Sequence, residues 1–274
     1  MVRRHRIVRA WPFLVRRKRL RRLLTPVVRT APRPTVFEPD RLRYLRAYLL
    51  MRTMIGVLAV ALPLVLGVGD LLLSATGPFS RGSLSAYYYS GARDLFVGTL
   101  CAVAVFLVTY KVSEANLDNT LSLLAGVAAF GVALFPTRRP DPLIERLSPL
   151  QQRLGEMAVE TVHYLSATVF IATLAVLCYF FGVREGARPR RAQAHRSPQF
   201  WRIYHWSCAA AIAVSVIAVS LSALTAGPAD ALVIAEVLSV WAFGASWLMK
   251  GLELDILRGA RASQRSASRA SLRR

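Results

Sequence analysis

The residues able to do chemistry in this sequence are few and lie at the ends of apolar runs. Arg93 and Asp94 stand where a polar, tyrosine-rich stretch (Ser80 to Ser90) gives way to a long apolar segment. Glu160 and His163 are three apart, so they share a helical face. Asp70 ends the first apolar run, and Glu236 sits one to two turns into the last. Acids inside a membrane are costly and face a cavity or a partner. Asp94, His163 and Glu236 would form the donor set of a zinc or other divalent site. Ser83, Ser85 or Ser90, with His163 and Asp94, would instead supply nucleophile, base and orienter. A third reading makes Arg93, Asp94, Glu160, His163, Glu236, Ser83 and Ser85 the lining of a polar pocket. A plainer account stands beside all three. Asp94, Glu160 and Asp230 complement the positive end of a helix dipole, and a single histidine is commonly a hydrogen-bonded core residue.

Several chemistries lose their support in the sequence. One Glu-x-x-His is half of a di-iron bundle motif, and the second half is missing. No Gly-x-Ser-x-Gly elbow surrounds a serine. There is neither a phosphate-cradling glycine loop nor a dinucleotide motif, so the sequence assigns no cofactor. Cys101, Cys178 and Cys208 lie inside apolar runs, are odd in number and lack zinc spacing. They read as small, soft packing residues. His195 and His205 lie among arginines and are given no role.

The elements that must position these groups are membrane spans. The chain is 54% hydrophobic yet carries a formal charge of +21. The two features are segregated, long uncharged runs alternating with basic connectors, which separates this chain from a soluble nucleic-acid binder. The reading is all-α: a six-helix transmembrane bundle over 40–251, with spans at about 54–73, 94–110, 120–135, 161–181, 203–224 and 231–249. The third is the shortest. Asp40 would cap a helix beginning at Arg41. A basic N-terminal tail and proline-rich linker occupy 1–39, and a basic C-terminal tail occupies 252–274. The segment 1–24 alternates basic and apolar residues, suited to an anionic bilayer surface or to a disordered tail. A start nearer Met51 or Met54 would open the first span directly.

With the N-terminus in the cytoplasm, thirty of the 36 Lys and Arg residues fall on the inner side. That bias, and an even number of spans, places both termini in the cytoplasm of a cell-membrane protein. Tyr87, Tyr88 and Tyr89 then mark the outer interface, and Trp201, Tyr204 and Trp206 the inner one. The expected partner of the tails is anionic inner-leaflet lipid, not nucleic acid. Small-residue stripes mark the helix contacts: Asn119, Ser122, Gly126, Ala129 and Ala133; Ala211, Ser215, Val219 and Ser222; Gly98 and Ala102; and Glu236, Ser239, Ser246 and Lys250.

GSLSAYYYSGARDLFVGTL, LFPT at Leu134 to Thr137, His163 with Tyr164, and WAFGASWLMKG at Trp241 to Gly251 resemble a group of uncharacterised bacterial six-span membrane proteins. The likeness runs from about Arg52 to Gly251. A more distant similarity is to the Frag/DRAM/Sfk type, which shares a Pro and then a Ser in the first outer loop, here Pro78 and Ser83 or Ser85. The resemblance implies a six-helix membrane fold and brings no activity, substrate or catalytic residue. Three function classes therefore stay open: a protein that binds or transports a lipid or small molecule through an outward polar pocket, a membrane-embedded hydrolase of a lipid head group, and a structural interaction module.

Overall fold

The computed structural model describes residues 39–74, 81–110, 117–187, 197–224 and 230–251. The expectations for the basic segment 1–24, the linker 25–38, Pro78, His195 and the tail 252–274 fall outside the described residues. All contacts below lie within one compact unit, Asp40–Arg274. Seven α-helices account for most of the described residues: α1 (Pro39–Ser74), α2 (Arg93–Thr109), α3 (Leu117–Leu134), the short α4 (Pro149–Leu154), α5 (Glu156–Gly186), α6 (Pro198–Leu224) and α7 (Ala231–Gly251). A 3-10 turn, Ser85–Tyr89, precedes α2. Among the described residues there is no strand.

Five of these helices are long and apolar enough to cross a membrane: α1 over Ala47–Leu73, then α3, α5, α6 over Pro198–Ser222 and α7 over Ala231–Met249. The second expected span forms a helix of 17 residues, about 25 Å at 1.5 Å per residue, against a hydrocarbon core of about 30 Å. It, and not the third, is the shortest, because α3 reaches back to Leu117. Tyr110 breaks α2 by turning extended, with ψ of 92°. Its ring instead stacks on Tyr48 at 5.5 Å and packs against Trp247 at 5.2 Å. At the front of the chain α1 begins at Pro39, where a missing N–H costs a helix nothing. Asp40 therefore lies in the first turn and is not the cap.

The long helices form a ring in chain order. Helix α2 packs on α3, α3 on α5, α5 on α6, and α6 on α7. The ring closes through α1. A Cβ on Gly244 of α7 would meet Val60 Cγ2 at 2.8 Å, and Trp241 Nε1 donates to the Val60 carbonyl at 3.0 Å. On its other side α1 reaches α2, where Gly69 faces Leu95 and Ala92.

Burial tests the stripes. Ser122, Gly126, Ala129 and Ala133 are buried as expected, with Ser122 Oγ donating to the Leu107 carbonyl at 2.8 Å. Ser239 and Ser246 are buried too, and Glu236 is partly so. The α2 and α6 stripes are corrected. Gly98 is exposed, and a Cβ there would meet nothing. Helix α2 buries Phe96, Leu100, Val103, Ala104 and Leu107 instead. On α6 Ala211 faces outward, Ser215 is buried as expected, Val219 and Ser222 are half-buried, and His205, Cys208 and Ile212 complete the buried line. Larger side chains such as Phe96, Leu100 and Ile212 are buried there because each fills a gap between neighbouring helices, which a small residue fills only where backbones approach closely.

Gly126 is such a place. A Cβ there would lie 2.9 Å from both the Ala104 carbonyl oxygen and the Val108 nitrogen, backbone atoms that cannot swing aside. Gly126→Ala is expected to destabilise the folded chain by about 1–3 kcal/mol through overpacking. Gly98→Ala should stay within about 0.5 kcal/mol or stabilise slightly. Denaturant titration of both purified variants in detergent checks this, and equal stability would remove the close α2–α3 contact from the account.

Candidate functional site

The polar groups gather at one end of the bundle, around the loop from Arg81 to Ala92. This loop is built by its own sequence. Gly82 has φ of +69°, a conformation that suits glycine. Ser83 Oγ accepts from Ala86 N at 3.0 Å, which ties a residue just before the 3-10 turn to its first residues. Ser90 Oγ donates to the Tyr87 carbonyl at 2.8 Å and accepts from Ala92 N at 3.0 Å. The loop folds inward, so that Ser83, Leu84, Ser85, Tyr87 and Tyr88 are all buried.

Helices from around the ring answer this loop. Helix α7 supplies Glu236, whose Oε2 accepts from Leu84 N at 2.5 Å. Helix α5 supplies His163, 2% exposed, whose Nε2 lies 3.0 Å from Ser85 Oγ and whose Nδ1 lies 2.7 Å from the Phe135 carbonyl oxygen. A carbonyl can only accept, so Nδ1 carries a proton. A neutral ring then offers the Nε2 lone pair to the Ser85 hydroxyl. The result is a serine hydroxyl donating to an imidazole that a backbone carbonyl orients. Helix α1 supplies Asp70, fully buried, whose Oδ2 accepts from Arg81 Nε at 3.0 Å.

The structure thus joins Ser85 with His163 and sets Glu236 against the neighbouring Leu84, but leaves out Asp94. Asp94 is exposed in the first turn of α2, where it complements the helix dipole. It does not orient His163; the Phe135 carbonyl does. Among the described residues no three His, Cys, Asp or Glu side chains are grouped to hold a metal ion. The set Asp94, His163 and Glu236 is therefore corrected: their shared depth is real in sequence, but each is taken by a different partner or by solvent. Glu160 is half-buried. Arg93 is exposed, donates from Nη2 to the Tyr88 hydroxyl at 2.7 Å, and lies over that ring with 4.3 Å from Cζ to the centroid. The cation that meets carboxylates here is Arg81, which reaches Asp70 and, at 3.9 Å, Glu145.

A second loop, residues 135–155, covers the first, and its role escaped the sequence reading. Tyr89 OH donates to the Thr137 carbonyl at 2.7 Å, and Gln151 Nε2 donates to Tyr89 OH at 2.7 Å and to the same carbonyl at 3.2 Å. Ser148 and Gln151 form a capping box with Pro149 at the first helical position. Ser-Pro-Leu-Gln is a readable signal for that short helix. Arg139 grips Glu156 with Nε and Nη2, both at 3.1 Å.

No family model matches the chain, and neither a curated protein nor a solved structure does.

Two outcomes are expected at this end. Glu236→Ala strands the Leu84 N–H and should cost about 1–3 kcal/mol, while Glu236→Gln keeps an acceptor and should cost less. Hydrogen exchange in residues 81–92 should quicken in the alanine variant only; unchanged exchange in both would detach the loop from α7. Burial pushes the Tyr89 hydroxyl up from 10.0 to about 12. Because its folded value is the higher one, its contribution is full below pH 10 and is lost as pH rises from 10 to about 12. Tyr89→Phe should flatten the fall in stability across that window, and an unaltered alkaline limb would exclude Tyr89 as its source.

Proposed function

We propose that the chain is a six-span integral membrane protein of the cell membrane, with α2 as the sixth span and both termini in the cytoplasm. In this reading a polar pocket at the outer mouth, closed by the loop 81–92, binds or transports a lipid or small molecule. The observation that carries it is that two adjacent loop residues, Leu84 and Ser85, answer side chains of two different helices, Glu236 and His163. Asp70 meets the same loop through Arg81. Lifting one short segment would present a carboxylate and an imidazole together, and a ligand with hydroxyl, amide or phosphate groups can take over both bonds. The positive-inside bias supports the orientation, and the basic tails fit anionic inner-leaflet lipid. The likeness to bacterial six-span proteins and to the Frag/DRAM/Sfk type belongs to this proposal, resting on the loop that holds Ser83 and Ser85.

A second reading has its own observation. Ser85, His163 and the Phe135 carbonyl stand in the order nucleophile, base, orienter at 3.0 and 2.7 Å. That favours a hydrolase of a lipid head group once the loop opens. A structural interaction module is the reading left if neither ligand nor reaction is found.

The experiments separate these. Lipids extracted from the purified wild type should include a species lost from His163→Ala and Glu236→Ala; identical lipid profiles would defeat the binding reading. A fluorophosphonate probe should label the wild type at Ser85 and fail on Ser85→Ala and His163→Ala if the hydrolase reading holds. An unlabelled, folded wild type would end it. A reporter inserted after Arg93 is expected on the outer side, and a cytoplasmic signal would reverse the orientation.

A further inference from the structure

Arg52 is the exception at the other end of the bundle. It lies eighteen residues before Asp70 on α1, about 27 Å along the axis, and is only 4% exposed. Among the described residues its Nε and Nη2 are buried without a hydrogen-bond partner. These two N–H groups form one edge of the guanidinium, the edge that pairs side-on with two oxygens of a single oxyanion. Two other arginines of the bundle are engaged otherwise. Arg184 pairs with Asp118. Arg202 lies over the Trp206 ring, 5.2 Å from Cζ to the centroid, and its buried Nε is unanswered. A buried charge without a counter-charge costs several kcal/mol, so an anion that reaches Arg52 recovers energy that the protein alone does not.

The surroundings suit such a guest. Trp247 Nε1 donates to the Arg52 carbonyl at 2.9 Å, which pins α1 to α7 at this level. One turn nearer the start of α1, Tyr48 shares Arg52's face, and its hydroxyl meets that of Tyr110 at 2.6 Å. The two phenols bridge α1 to the end of α2. They are polar, half-buried to buried, and stand between Arg52 and the end of the bundle. Tyr48 is also a hydroxyl able to turn toward an incoming oxygen.

We propose that Arg52, with Tyr48 beside it, forms a binding site for a phosphate-class oxyanion where α1, α2 and α7 meet. A lipid head group and free phosphate share this chemistry. The site is separate from the pocket behind the tyrosine-rich loop, and its fate does not depend on that one.

The full chain in dodecyl maltoside micelles, which carry no phosphate, provides the test. Salt at about 1 M, where charges are screened beyond about 3 Å, suppresses the attraction of the basic tails. One arm adds phosphatidylglycerol to the micelle and the other adds inorganic phosphate. The thermal midpoint of the wild type should rise in at least one arm; a rise with lipid alone identifies a head group, and a rise with phosphate identifies a free anion. Arg52→Gln should lose the rise and, in maltoside alone, be at least as stable as the wild type. Arg52→Lys keeps the charge without the fork and should bind at least about tenfold more weakly; it carries the comparison if the glutamine variant does not fold. Equal rises in wild type and variants, or no rise in either arm, would overturn the site.

Discussion

The hydrogen bond from Leu84 N to the Glu236 carboxylate is the contact on which the tyrosine-loop end depends. A carboxylate inside an apolar helix needs a donor, and a backbone N–H folded into a bundle needs an acceptor. Each removes the other's cost. The bond is short, 2.5 Å from Leu84 N to Glu236 Oε2. With Leu84 held, Ser85 falls within reach of His163, and Tyr87 packs with no exposure at all. Tyr89 is then placed to meet Thr137 and Gln151 of the second loop. Apart from Arg81 Nη1 donating to the Tyr89 carbonyl at 3.4 Å, the segment's internal bonds span three residues at most, so its long-range bonds are what fix it.

The opposite end is held differently. Trp247 is fully buried among Tyr110, Phe181 and Phe243, with ring centroids 5.2, 5.3 and 5.2 Å away. These rings come from α2, α5 and α7, and the indole N–H adds α1 through the Arg52 carbonyl. His205 Nδ1 lies 2.8 Å from Ser246 Oγ and joins α6. Five helices thus share one aromatic cluster. In hydrocarbon, where apolar burial gives helices no reason to associate, dense ring packing and these few hydrogen bonds carry the cohesion. His205, given no role from sequence, has a structural one.

Helix existence was legible because hydropathy is a local property. Five apolar runs became helices long enough to cross a membrane, and the sixth became a helix of 17 residues. Contact faces were legible where backbones meet, as at Gly126, and misleading where they do not, as at Gly98. The site was half legible. Depth along the chain correctly grouped His163 with Glu236, since residues near the same end of neighbouring helices lie at one level. Depth says nothing of azimuth, and Asp94 points out of the bundle. Nor could spacing reveal that His163 would be oriented by the Phe135 carbonyl, or that Arg81 and not Arg93 would reach Asp70. Those pairings are set by where a loop folds back, and a loop carries no periodicity.

The two ends answer their buried polar groups in opposite ways, and this bears on where change can occur. At the tyrosine-loop end the partners of Glu236 and His163 lie on a connector outside the helices. Such a connector moves at the cost of a few hydrogen bonds, while a helix moves only with its whole packed face. At the other end the partners just named sit on helices or, for Tyr110, on the residue that ends α2, so that end is the fixed frame. A group that must accept a guest there cannot wait for a segment to lift; it has to be left with donors already aimed. Arg52 meets that condition with two N–H groups on one edge. Ser85 and His163 do not, because each now satisfies the other. Exchange at the loop end therefore begins with breaking protein bonds, and exchange at Arg52 begins with forming one.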